Sequence, residues 1–453
     1  DGEPFWGGTY FPPTPRYGRP GFADLLNGVA KVFRDEPARI AKNVEALREG
    51  LAKLSQQHPG SAVPIALLDR IAATEDAVAL AREGIDVIAG FARFRNPASI
   101  DVDGTTVRSR RFIVATGARP LIPAIPGLRE SDPMTNESLF QLDERPTSLA
   151  ILGGGPIGCE MAQAFARLGS RVTLIEAEER ILPREEPPAS AVIADVLARD
   201  GVTVRAGSKA TLVERSPDGT FCVHTETGEP IAATHLLAAI GRAPSGRGFG
   251  LEEIGVVIDE RGAITVDDTM ATNIGGIWAV GDVTGRLQFT HVADYHAKLV
   301  LRNALTPARG RVDLSRVPRV TYSDPEVAQI GPTEPELRQT EGRVSPYRYD
   351  FRDLDRGITD RETAGFVKLL VGPRGRLLGA TIVGAGAGEL IAPIALAMQR
   401  RLRVTALGSF IYPYPTMSEA VKRAADLVRR EQIDSLGGRL LRWLVRRKLS
   451  LDR

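Results

Sequence analysis

The sequence predicts an α/β chain whose earlier part is built on parallel sheets and whose later part is α+β. Three observations carry this. Leu149-Ala150-Ile151-Leu152 runs straight into Gly153-Gly154-Gly155-Pro156-Ile157-Gly158. A second apolar run, Gly276-Ile277-Trp278-Ala279-Val280-Gly281-Asp282, ends in Gly-Asp. Beyond residue 317 the pattern changes to paired strands joined by a short turn and followed by a helix.

At 453 residues the chain is long enough for two or three cores, because single cores stop growing near roughly 250–300 residues. Hydrophobic content of 43% and charged content of 25% are those of an ordinary soluble protein. A net charge of +2, with basic residues dispersed until the end of the chain, argues against nucleic acid as a partner. There is no uncharged apolar run of about eighteen residues and no basic leader before an apolar stretch, so a cytoplasmic protein is expected. The two cysteines, Cys159 and Cys222, lie far apart and offer no C-x-x-C site. His58, His224, His235, His291 and His296 show no metal-gathering spacing, and no metal is expected.

The glycine run is the strongest local signal. Residues 149–152 read as a buried parallel strand, and Gly153, Gly155 and Gly158 fill the three positions of G-x-G-x-x-G. The first permits the tight turn, the second lets a pyrophosphate approach the backbone, and the third lets the helix pack on the strand. Ile157, Met161, Phe165 and Leu168 follow at helical spacing, and Gly169 stops the helix. A second strand, Arg171 to Ile175, ends in Glu176, where a carboxylate accepts bonds from the adenosine ribose hydroxyls and repels a 2′-phosphate. The expected ligand is therefore NAD(H) rather than NADP(H). Gly384-Ala385-Gly386-Ala387-Gly388 looks similar, but Glu389 stands where the third glycine belongs, so it reads as a turn between the strand 377–383 and the helix 389–401.

Residues 108–116 read as a strand, followed by Thr116-Gly117-Ala118-Arg119-Pro120, a turn suited to a crossing between domains. Asp282 at the end of the 276–282 strand suits either a sugar-like hydroxyl or a simple turn. Phe366 to Val371 and Leu377 to Val383 read as strands, and a last helix is expected from about Ser418 to Arg429. In the tail, 439–453, leucines, Trp443 and Val445 alternate with Arg442, Arg446, Arg447 and Lys448. Such a helix either lies on an anionic membrane surface or packs on its own protein.

With these motifs in order, the chain resembles the FAD-dependent pyridine nucleotide-disulfide oxidoreductases from about residue 64 to 430, its mercuric-reductase-like branch above all. The motifs are Ala115-Thr116-Gly117-Ala118-Arg119-Pro120, the unit at 151–160, Gly241-Arg242-Ala243-Pro244, Ala279-Val280-Gly281-Asp282 and Tyr322-Ser323-Asp324-Pro325-Glu326-Val327-Ala328. The resemblance implies Rossmann-like FAD- and NAD(P)-binding domains followed by an α+β dimerisation domain. The implied division is a remnant of the FAD domain at 59–147, an NAD domain at 148–265, a return to the FAD domain at 266–315, a dimerisation domain at 316–430 and the basic tail at 431–453. By the same resemblance, Thr116, Gly117 and Asp282 would contact FAD, with Asp282 at its ribityl or diphosphate portion. His291 and Ala293 would begin the helix facing the flavin, Glu160 would sit beside flavin and nicotinamide, and Gly241 would border the NAD pocket. Tyr414 and Glu419 align with the family's carboxy-terminal catalytic dipeptide region, which in a homodimer serves the partner subunit.

The departures shape the functional expectation. The family's first FAD strand–turn–helix, its C-x-x-x-x-C redox pair and the lysine that pairs with the glutamate at 160 are not found before residue 64. Residues 1–58, with Gly2-Glu3-Pro4-Phe5-Trp6-Gly7-Gly8-Thr9-Tyr10-Phe11-Pro12-Pro13, resemble a fragment of the thioredoxin-like domains of spermatogenesis-associated-type proteins. The expectation is a fused or misjoined chain with the first part of its FAD domain replaced. Its activity would be hydride transfer from NADH to flavin and on to a small-molecule acceptor without a disulfide relay. The alternative is an inactive dinucleotide-binding or dimer-forming remnant.

Overall fold

The computed structural model describes residues 77–307, 309–340, 343–434 and the single Arg447. The expectations for residues 1–58 and, Arg447 apart, for the tail beyond 434 lie outside the described residues. The chain forms two compact units, 1–89 and 90–453. In the first, the described part holds a short helix, Ala77–Arg82, closed by the N–H groups of Glu83 and Gly84.

The second unit is organised around the strand Ser148–Leu152, buried at every position. It pairs in parallel with His235–Ala238 on one side and Arg171–Ile175 on the other, and Thr203–Arg205 completes the sheet. A strand covered on both faces needs apolar side chains at successive positions, which is why 149–152 show no alternation. Leu149 and Ile151 face one core with Cys159, Ala162, Ile193 and Leu197. Ala150 and Leu152 face another with Val213, Phe221 and Val223. The first face is covered by helices Pro156–Arg167 and Pro187–Arg199. The second is covered by an antiparallel sheet of Ala210–Arg215, Phe221–Thr225 and Ile231–Ala233. Proline at the first helical turn, Pro156 and Pro187, gives up an N–H that has no partner within the helix there.

The Gly-Asp strand, Ile277–Ala279, pairs in parallel with Phe112–Val114. The expected 108–116 strand is thus shorter, because Ser109 turns the chain onto Arg111 before it and the backbone leaves the sheet after Val114. The chain then crosses to the larger sheet through Ala118–Pro120 and returns through Arg242–Pro244. These two connections pair with each other as an antiparallel ribbon. A three-stranded meander, Ala92–Asn96, Ser99–Val102 and Thr105–Arg108, precedes them.

The α+β part is a five-stranded antiparallel sheet in the order Pro318–Thr321, Glu326–Ile330, Leu377–Gly384, Phe366–Val371, Ser345–Asp350. The 366–371 and 377–383 strands stand as expected. The helix expected over 389–401 is instead two pieces, Ala387–Leu390 and Ala392–Gln399. Pro393, which has no N–H to continue the ladder, lies in the first turn of the second piece. The last helix runs Glu419–Asp434.

A buried charge group joins the two parts. Lys368 Nζ lies 2.8 Å from Glu186 Oε2 and 2.7 Å from Glu334 Oε2, and the Glu334 N–H donates to Glu186 Oε1 at 2.6 Å. Beside it Arg319 pairs with Glu185 at 2.7 Å and donates to the Arg184 carbonyl. Lys368 is 8% exposed and Glu186 1%, so the ammonium is desolvated and lives on its partners. Replacing Lys368 with Met leaves the buried Glu186 unpaired and should cost about 3–5 kcal/mol of stability. Urea unfolding of the two proteins measures this; equal midpoints would show that the group does not bind the parts together.

Candidate functional site

The glycine turn between Leu152 and the helix Pro156–Arg167 has the geometry the sequence asks for. Gly153 has φ +103°, and a Cβ there would stand 2.5 Å from the Ala239 carbonyl oxygen. A Cβ on Gly158 would be 1.8 Å from the Gly153 oxygen, so helix and turn approach as only glycine allows. Gly155 faces open space, which is where an approaching pyrophosphate needs bare backbone. At the end of the neighbouring strand Glu176 is buried, its Oε2 accepting the Gly154 N–H at 2.6 Å and its Oε1 the Glu178 N–H at 2.8 Å. Each carboxylate oxygen can accept a further bond, so the side chain is fixed and still able to take hydroxyl donors.

Cys159, one residue past Gly158, is sealed from solvent and donates to the Gly154 carbonyl at 3.3 Å. Burial pushes its thiol far up, with the carboxylates of Glu176 and Glu160 adding to the effect. It is a packing residue of the turn. In the second glycine run, 384–388, Gly386 faces open space, but a Cβ on Gly384 would strike the Phe351 ring, and the Gly388 N–H donates to Glu326 at 2.8 Å.

Thr116, Gly117, Gly241, Asp282 and Ala293 gather around the crossing ribbon. Thr116 Oγ1 donates to the Ser245 carbonyl at 2.7 Å, the Ser245 N–H to Gly117, and the Leu121 N–H to the Gly241 oxygen at 2.9 Å. Asp282 Oδ2 lies 3.3 Å from Arg242 Nη1, and the adjoining Gly281 packs against Ala293. Arg242 is the residue that sequence reasoning missed here. It lies inside a quoted motif, but its partner stands forty positions away and no spacing rule links them.

Glu160 and His291 meet opposite ends of one strand. His291 Nε2 contacts the Pro318 carbonyl at 2.9 Å, and Glu160 Oε1 accepts the Tyr322 N–H at 2.8 Å. The intervening strand sets these anchor points about 13 Å apart. One helical turn beyond Glu160, Gln163 bonds both the N–H and the carbonyl of Asp324, and Arg167 pairs with the Asp324 carboxylate at 2.7 Å. Burial holds the Glu160 carboxyl above the ordinary glutamate value, offset in part by the Tyr322 N–H. Tyr414 and Glu419 bond elsewhere, to Asp355 at 2.9 Å and to Arg423 at 2.6 Å. The Asp355 carboxylate keeps the Tyr414 proton on its oxygen.

Comparisons with known proteins identify the family. The family model described as pyridine nucleotide-disulphide oxidoreductase matches residues 29–297, and the dimerisation domain of that family matches 317–425. A thioredoxin-type family of unknown function matches 1–52. The mercuric reductase of Streptomyces lividans is 37% identical over 354 residues, 76% of this chain and 74% of that protein. The mercuric reductase of Bacillus cereus is 36% identical over 75% of this chain, which spans 54% of its length. Among solved structures, the HOCl-induced flavoprotein disulfide reductase RclA of Escherichia coli superposes with a TM-score of 0.72 at 32% identity, covering 76% of this chain and 80% of that one.

The Glu160 environment generates a pH-dependent prediction. A carboxyl whose pKa is raised on folding favours the fold when protonated, and that contribution is lost as the pH rises through the raised value. Glu160→Gln keeps an oxygen for the Tyr322 N–H and cannot ionise. Its melting temperature should exceed that of the parent by about 1–2 °C at pH 8, with the gap closing toward pH 4. A gap independent of pH would mean that ionised Glu160 carries no folding penalty.

Proposed function

Because the chain belongs to the pyridine nucleotide-disulphide oxidoreductase family, we propose that it moves hydride from NADH to a flavin and on to a small-molecule acceptor, using neither of its cysteines as a dithiol relay. The observation that carries the nucleotide assignment is the glycine turn. Gly155 faces open space while Gly153 and Gly158 are held in close contact, and Glu176 is fixed beside them. The Glu176 carboxylate would take the ribose hydroxyls and repel a 2′-phosphate, which selects NADH.

On the flavin side, Asp282 and the turn Gly281–Thr284 would hold the ribityl or diphosphate portion, with Thr116 and Gly117 across the ribbon and the helix Thr290–Leu305 presenting His291 and Ala293 toward the ring. Bound FAD would supply two-electron chemistry between nicotinamide and acceptor. Glu160, protonated more readily than an ordinary glutamate, would sit at the meeting point of the two nucleotides and hold a proton there. The sealed thiol of Cys159 and the placement of Cys222 on an outer sheet support direct transfer to the acceptor rather than through a pair of these two sulfurs.

The dimerisation domain suggests a homodimer. Phe410, Ile411 and Tyr414 are exposed together, with Ile411 at 89%, and this apolar edge suits a contact with a second copy. Tyr414 and Glu419 would then act toward the partner subunit's site. A second reading, a non-catalytic dinucleotide-binding or dimer-forming remnant, draws on the flavin side being satisfied within the chain: Asp282 is paired with Arg242, and the Thr116 hydroxyl with Ser245.

One experiment separates these readings and a second tests the nucleotide assignment they share. The purified chain, given FAD, should retain a yellow flavin spectrum that bleaches with NADH under anaerobic conditions; a colourless folded protein that binds NADH would instead support the remnant. Glu176→Gln keeps an acceptor for the turn and removes the charge. It should weaken NADH binding about tenfold, near 1.4 kcal/mol, and narrow the preference over NADPH. Unchanged affinities for both nucleotides would take Glu176 away from the ribose.

A further inference from the structure

We propose that Cys222, with His224 and Glu214, is a thiol-modification site that reacts with small disulfides to form a mixed disulfide. The proposal stands apart from the oxidoreductase reading and concerns the outer face of the sheet that covers the dinucleotide strand. In the strand Phe221–Thr225, Phe221 and Val223 point into the core, so Cys222 and His224 share the opposite face. The pairing register places Glu214 directly across from Cys222 on one neighbouring strand and Ala232 directly across on the other. The His224 ring touches both of the other side chains. His224 Nε2 lies 2.8 Å from Glu214 Oε2 and 3.7 Å from Cys222 Sγ.

A 2.8 Å contact between an imidazole nitrogen and a carboxylate requires a proton between them. The same ring nitrogen stands 3.7 Å from the sulfur. The Glu214 carboxylate holds the ring in place beside the sulfur. Access is also provided: Cys222 is half-buried, His224 is 33% and Glu214 60% exposed by side chain, and the exposed Ala232 offers only a methyl group on the other flank.

The step balances with one named co-reactant, a small disulfide. The Cys222 thiol loses its proton to water, and the thiolate attacks one sulfur of the disulfide. A Cys222–sulfur bond forms as the original S–S bond breaks, and the departing thiolate takes up a proton. Two electrons are redistributed: Cys222 is oxidised to the mixed disulfide and one half of the co-reactant is reduced to a thiol. Cys159 serves as the internal reference, since it is buried, bonded to the Gly154 carbonyl and held protonated.

The test treats the full chain with 2-hydroxyethyl disulfide, an uncharged probe, and follows each cysteine by mass spectrometry. The expected result is a single adduct at Cys222, with Cys159 reacting at least about a hundredfold more slowly until denaturant is added. His224→Thr, a change on an exposed strand face, should slow the Cys222 reaction roughly threefold or more while Cys159 stays protected, which shows that the variant is folded. A Cys222 rate unchanged in His224→Thr, no adduct at Cys222 in the folded parent, or equal modification of both cysteines would each overturn the proposal. If Cys159 loses its protection in His224→Thr, the comparison moves to His224→Gln, for which the same two outcomes decide.

Discussion

The position of Lys368 decides how the two larger parts of the molecule meet. Its ammonium lies between Glu186, at the start of a helix on the dinucleotide sheet, and Glu334, at the start of a helix beside the five-stranded sheet. Charges this deep are held by their partners, and a loosened member leaves another uncompensated. Their geometry fixes how the two sheets face each other. With that fixed, the strand Pro318–Thr321 is brought to where His291 and Glu160 can each bond one of its ends. The shared core supports the same arrangement, for Val327, Phe366 and Val383 of the five-stranded sheet pack with Leu149 and Ile151.

Much of the architecture was legible from local pattern. The strand, glycine turn, periodic helix and terminal Glu176 follow from rules acting within about thirty residues, and the structure forms them at those positions. The paired strands around Gly372 to Gly375 are equally local. Other features escaped because their causes are distant or competing. The break near Ile391 reflects a proline that apolar periodicity alone passes over. The shortness of Phe112–Val114 reflects a local turn at Ser109 that interrupts an apolar pattern.

The candidate site divides in the same way. Glycine positions can be read from spacing because each one answers a steric demand of its own turn. Pairings such as Arg242 with Asp282, Gln163 with Asp324, or His224 with Glu214 depend on which elements the fold brings side by side. The spacing of 222 and 224 puts those two on one strand face, but only the sheet register makes Glu214 the neighbour of Cys222. Charged residues in particular give little warning, since a surface lysine and Lys368 look alike until burial is known.

The ribbon formed by Ala118–Pro120 and Arg242–Pro244 has a mechanical consequence. Two independent connectors between a pair of sheets would permit twisting, sliding and bending. Here the outgoing and returning chains are hydrogen-bonded to one another, and Arg242 is also bound to the Gly-Asp turn. Such a crossing acts as a single leaf spring, stiff along its length and in its own plane and compliant chiefly across its thin direction. A motion between the Asp282 side and the Glu176 side would have to bend this ribbon, because the paired chains resist sliding past each other.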